Sequence, residues 1–185
     1  MDTIEPGATL NWRTQGVRVV PGDALDTNTP QTPGMTRAAA VTHDRTGSEK
    51  LWAGTVTIHP GAKTGAHHHG ELETVIYVIR GRARMRWGEH LEFTAEAGPG
   101  GFIFVPPFVP HQEINALDDE PLECVVTRSG QEPIVVNLDI DGVAEPNTCP
   151  GSIQPTRWST EHRQTSGRGG LSVAPEKNQI QPSDP

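Results

Sequence analysis

Between residues 37 and 138 the apolar positions fall in runs of four to nine residues, alternating with polar ones or clustering, and each run is bounded by turn formers. That period and length predict short β-strands, not helices. The runs cover 37–42, 51–59, 74–79, 82–87, 91–94, 102–105, 112–117, 122–127 and 133–138. Between them stand Pro60-Gly61, Arg80-Gly81, the Gly98-to-Gly101 stretch and the Asp118-to-Pro121 stretch, which supply preset or positive φ. So many short strands in about a hundred residues predict an all-β sandwich or barrel. In 82–87, Arg82, Arg84 and Arg86 alternate with Ala83, Met85 and Trp87, as an amphipathic strand with one wet face requires. The run Phe102-Ile103-Phe104-Val105 is apolar in both phases, which predicts cover on both sides, one from a second sheet and the other from a subunit interface.

The flanks read differently. Residues 1–35 mix Pro, Gly, Thr and Asp around one short apolar piece, Val17 to Val20, and predict an extended arm. The domain proper is expected over 36–140. From 141 to 185 the chain is poor in aliphatics and cannot bury enough to offset the entropy of ordering, so an extended or disordered tail is expected, with Trp158 as its one candidate anchor.

Composition narrows the function classes. A chain of 185 residues is one domain with tails, and its 20 glycines and 17 prolines suit turns over helices. The formal charge of −8 and the lack of a dense Lys/Arg cluster argue against nucleic acid and for a small-molecule or protein partner. Cys124 and Cys149 sit in no C-x-x-C pattern, so a disulfide scaffold is not expected. The opening residues carry no basic and apolar leader pattern, and no window holds 18 apolar residues, so the expectation is a cytoplasmic protein without membrane contact.

Chemistry concentrates at His67-His68-His69, just before the 74–79 run. Imidazole suits iron, zinc, copper and nickel, and a strand sends alternate residues to one side, so His67 and His69 can share a cavity while His68 faces away. Glu73 shares their odd-numbered phase if the intervening turn preserves alternation. Glu71 is a weaker substitute, and the plain alternative for both acids is a solvated turn carboxylate. Tyr77 has the same phase and is the candidate catalytic residue, as a phenolic acid or orienting group. Trp52, Met85, Trp87, Phe104 and Gln112 are further candidate pocket liners, with ordinary core as the bland alternative. His43, His59, His90 and His162 lack a comparable setting. No Ser/His/Asp arrangement, Walker sequence or dinucleotide fingerprint follows a strand.

Two segments together resemble the cupin superfamily. Gly61-x5-His67-x-His69-x3-Glu73 matches the first cupin motif, G-x5-H-x-H-x3-4-E-x6-G, as far as the acid, and Gly81 then lies one residue late. Counted back from Gly81, the acid would fall on Thr74. Gly100-x5-Pro106-x-Phe108-x2-His111-x3-Asn115 matches the second motif, with Phe108 in place of its middle glycine. The resemblance implies a single RmlC-like jelly-roll β-barrel in which His67, His69, Glu73 and His111 converge on one divalent transition metal. Fe(II) is favoured; Mn, Ni, Zn and Cu also suit the ligands. Because of the slip after Glu73, either a bulge lets Glu73 reach the metal or three histidines remain. The resemblance further implies a metal-dependent enzyme for a small organic molecule, foremost a non-haem dioxygenase or oxidoreductase. The alternatives are a Lewis-acid isomerase or polyketide-type cyclase, and a non-catalytic ligand-binding or sensory barrel. Cupins commonly pair, so a homodimer is expected.

Overall fold

A computed structural model describes Asn11, Arg13 and residues 16–149 of the chain. Most of the expected arm before residue 16 and the tail from 150 onward, with Trp158 and His162, lie outside the described residues. Eleven strands are present among them. They are β1 (Met35–Val41), β2 (Trp52–Ile58), β3 (His67–His68), β4 (Thr74–Arg80), β5 (Ala83–Trp87), β6 (Phe93–Ala97), β7 (Phe102–Val105), β8 (His111–Asn115), β9 (Leu122–Arg128), β10 (Val136–Asn137) and β11 (Asn147–Thr148). The helical content is one 3-10 turn at Gly22–Ala24 and one short helix at His43–Thr46. None of it is long and apolar enough to cross a membrane.

The strands form two sheets, ordered β1-β2-β9-β4-β7 and β10-β3-β8-β5-β6-β11. All pairings are antiparallel except β11 with β6, where residues just past 140 run along the edge of the second sheet. Alternation decides what lies between the sheets. Val56 and Ile58 of β2, Ile76 and Val78 of β4, and Leu122, Cys124 and Val126 of β9 face inward, where Ala83 of β5 meets them. Burying each large aliphatic contributes about 1.5–3 kcal/mol. On the opposite face of β5, Arg84 pairs with Glu96 at 2.6 Å and Arg82 with the same carboxylate at 3.5 Å, as the amphipathic reading requires.

Two junctions position the site. Gly81 sits at φ 83, and a Cβ there would lie 2.6 Å from the carbonyl oxygen of Pro121, so the β4–β5 turn packs directly on the chain entering β9. Asn115, 2% exposed, is a clamp: its Nδ2 donates to the carbonyls of Ile58, His59 and Glu120, and its Oδ1 accepts from the Leu117 amide. The end of β8 is thereby tied to the end of β2.

β7 has one covered face and one open face. Ile103 packs on the core and Val105 is buried, but Phe102 and Phe104 are 72% and 56% exposed. β7 is an edge strand, so within one subunit the second sheet covers only one of its faces.

Candidate metal centre

β3 is a two-residue strand held between β8 and β10, and in the β3–β8 register His67 stands opposite His111. His69 follows at the turn. The three rings are almost fully enclosed, at 4%, 3% and 1% exposure, with centroids 4.3–5.1 Å apart. Each ring is aimed by a main-chain carbonyl. Nδ1 of His67 lies 3.0 Å from Gly65 O, Nδ1 of His69 lies 2.8 Å from Ile134 O, and Nδ1 of His111 lies 2.9 Å from Val109 O. A carbonyl can only accept, so each Nδ1 carries a proton, and in the neutral ring the lone pair is then on Nε2. Nε2 of His69 and of His111 are buried with no hydrogen-bond partner.

Glu113 is placed to act as a fourth donor. Two residues beyond His111 on β8, it shares that histidine's face, and one ligand atom from each of His67, His69, His111 and Glu113 fits within a 4.8 Å span. Its own amide is fixed by donation to Thr64 Oγ1 at 3.0 Å. Three imidazoles and a carboxylate suit a divalent transition metal, and buried, unpartnered Nε2 atoms are what such an ion would satisfy.

Burial disfavours protonation of His69 and His111. The His69 pKa is held down to about 3 by burial and then by the charge of Arg128, and that of His111 is also lowered, by burial and then by His67. Ligands already deprotonated bind metal without first losing a proton.

Glu73 and Tyr77 are not brought to this cluster. Glu73 is exposed, and its main chain is bound to Ser129 through the Glu73 amide to Ser129 Oγ and the Ser129 amide to the Glu73 carbonyl. The reason is a lost phase. Gly70 takes φ 59, the Leu72 amide turns back to the His69 carbonyl, and alternation restarts in β4 with Thr74, Ile76 and Val78 inward. Tyr77 therefore faces outward, its ring 4.8 Å from that of Phe102. Thr74, the position given by counting back from Gly81, points inward, with Oγ1 buried and unpartnered.

Other candidates fall where their phase sends them. His68 accepts the Gly70 amide at Nδ1 and lies beside Phe108, outside the cluster. His43, His59 and His90 join no metal-capable group among the described residues. Gln112 donates to the Thr64 carbonyl, Phe104 faces outward and Met85 is core. Trp52 does line a cleft, of about 760 Å³, that also takes in Arg128 and Asn137. Phe108, in the glycine slot of the second motif, adopts the left-handed region itself at φ 60, with its amide bound to the Gly70 carbonyl.

Two residues of interest had weak sequence signals. Glu113 follows from applying to His111 the same alternate-residue rule that pairs His67 with His69. Arg128 continues the inward phase of Leu122, Cys124 and Val126, where an apolar residue would be the default. Cys124 itself is buried, its thiol pushed up to about 12 by burial, so it offers no thiolate.

A family model described as a cupin domain matches residues 54–128. No curated protein matches the sequence. Among solved structures, a point mutant of Bacillus subtilis oxalate decarboxylase OxdC is similar at 25% identity and TM-score 0.51, over 59% of this chain and 29% of that one. Another structure of the Bacillus subtilis enzyme, concerned with its Mn(II) centres, is 24% identical with TM-score 0.50 over 58% of this chain and 29% of that one. The polyketide cyclase RemF from Streptomyces resistomycificus is 22% identical with TM-score 0.56, over 70% of this chain and 89% of that one. The chain thus spans under a third of the length of the decarboxylase.

Proposed function

Because residues 54–128 are a cupin domain, we propose that this protein is a metal-dependent enzyme acting on a small organic molecule, with His67, His69, His111 and Glu113 as the metal ligands and a dioxygenase-type oxidation as the reaction. The observation that carries this reading is the convergence of three histidines and one carboxylate, with Nε2 of His69 and of His111 buried and unpartnered. A ligand-binding barrel without catalysis has no need of such a set.

Four protein donors leave two positions on a six-coordinate ion. Iron bound there would supply Lewis acidity and one-electron redox chemistry toward a substrate and dioxygen. The chain contributes the rest. Carbonyl-held Nδ1 protons fix the ring orientations, Glu113 offsets one unit of metal charge, and burial keeps bulk water from the ligands. The cleft holding Trp52 and Arg128 has the volume of a small-molecule site. We further propose that two copies pair through the outward apolar face of β4 and β7.

The test begins with protein purified without chelator. One equivalent of metal is expected, lost in both His67→Ala and His111→Ala. Anaerobic iron loading followed by oxygen-uptake screening against catechols, thiols, diketones and flavonoid-like compounds is then expected to show consumption. Wild-type protein that takes up none of Fe, Mn, Ni, Zn or Cu overturns the enzyme reading. Metal-dependent conversion without oxygen uptake assigns the Lewis-acid chemistry of an isomerase or cyclase instead.

A further inference from the structure

Arg128 is an arginine in a place that ordinarily takes an aliphatic residue. It ends β9 on the inward phase, opposite Thr74 in one register and opposite Trp52 in the other. Its Nε is buried with no hydrogen-bond partner, and among the described residues no carboxylate forms an ion pair with it. Arg128 as a whole is half-buried; a guanidinium carries five donors and does not give up its charge, so withdrawing part of one from water without an anion in contact is costly. Burial lowers its pKa; the Glu113 charge works the other way, and the charge of Arg37 on β1 lowers it again, so a second cation lies near enough to repel it.

The surroundings look outward to the cleft. Arg37, Trp52 and Arg128 all line it, and the Arg128 guanidinium lies 5.8 Å from the centre of the Trp52 ring. Gly54 makes room for that indole, since a Cβ there would meet Trp52 Cη2 at 2.8 Å. The acids that line the cleft are otherwise placed. The Asp44 side chain is 99% exposed and beside His43, Glu132 is exposed, and Asp26 accepts the Asn28 amide. At the other end, the Arg128 charge is felt at both His69 and His111.

We propose that the substrate is a small organic carboxylate, its carboxylate received by Arg128 and its apolar part laid against Trp52, with Arg37 adding charge. This inference rests on the metal-enzyme reading only for the identity of the neighbouring site. A guanidinium matches a carboxylate in two parallel hydrogen bonds, and one anion would satisfy the buried Nε and relieve the repulsion between the two arginines. A free phosphate would use the same chemistry, but a ring-bearing carboxylate also uses the indole face.

The probe is benzoate, titrated calorimetrically into full-length protein with Zn(II), a redox-inert ion, and compared with neutral benzamide and inorganic phosphate. Benzoate is expected to bind with heat that benzamide does not reproduce, and more tightly than phosphate. Arg128→Gln is expected to weaken benzoate by about tenfold or more while keeping the zinc stoichiometry, and Arg37→Gln to weaken it less. Equal binding of benzoate and benzamide by wild-type protein overturns the proposal without any variant. Tighter binding of phosphate overturns its carboxylate assignment. Benzoate binding lost in Arg128→Gln but present in protein that takes up no metal upholds it while sinking the metal reading, and zinc uptake without benzoate binding does the reverse.

Discussion

Glu113 and Glu73 compete for one role, and a single geometric fact separates them: Glu113 is on the strand that carries His111, whereas Glu73 lies beyond a turn that resets the phase. Glu113→Gln is expected to weaken metal binding by more than about tenfold, and Glu73→Gln to leave it unchanged, as read by competition with a chromogenic chelator. The reverse pattern would restore the acid of the first motif. His69 makes a second residue-level prediction. Its folded pKa of about 3 is below the ordinary 6.5, so below pH 6.5 the unfolded chain binds a proton that the folded chain refuses. Metal-free protein is therefore expected to be most stable above pH 6.5 and to lose stability progressively as pH falls from there toward 3. Thermal melts across that range check it, and His69→Gln should show a shallower decline. The convergence of the histidines was legible in the sequence because two motifs agreed on them; which carboxylate lies beside them was not, because the geometry of Gly70 to Leu72 is set by packing rather than by local pattern.

At the scale of elements, strand periodicity carried most of the information. The runs ending in β2, β4, β5, β7 and β9 were legible because their alternation is set by a core on one side and solvent or a neighbour on the other. β10 falls inside the expected 133–138 run, whereas β3 and β11 were not foreseen, being two-residue strands that owe their geometry to partners far along the chain. The phase error at β4 also explains Tyr77, whose outward position follows from Ile76 and Val78 filling the core. Asn115 shows what the second motif does besides placing His111. Removing its amide strips a donor from three carbonyls at once, so Asn115→Ala is expected to cost about 2–4 kcal/mol, measured by urea denaturation. Zinc stoichiometry of the folded variant should persist, since no metal donor is lost; a variant of unchanged stability would deny the clamp.

At the scale of the whole molecule, β7 and β4 leave Phe102, Phe104, Val75 and Ile79 exposed on one face, although such apolar strands at a sheet edge invite pairing. Light scattering at micromolar concentration is expected to give a dimer, and Phe102→Lys with Phe104→Lys a monomer that still binds metal. A wild-type monomer would remove that face from the argument. Another long-range contact has a different consequence. The carbonyl that aims His69 belongs to Ile134, in the strap that continues through β10 and returns the Leu138 amide to the Ala66 carbonyl. If the cation holds His69 and His69 holds the strap, then by reciprocity the strap also governs how long the cation stays. Amide exchange at Leu138 is expected to slow when zinc is added, and a strap destabilised by Ile134→Gly to release zinc faster. Exchange indifferent to zinc would show the two events to be independent. Cation loss in this protein would then be a local unfolding, its rate set some sixty residues along the chain from the histidine it frees.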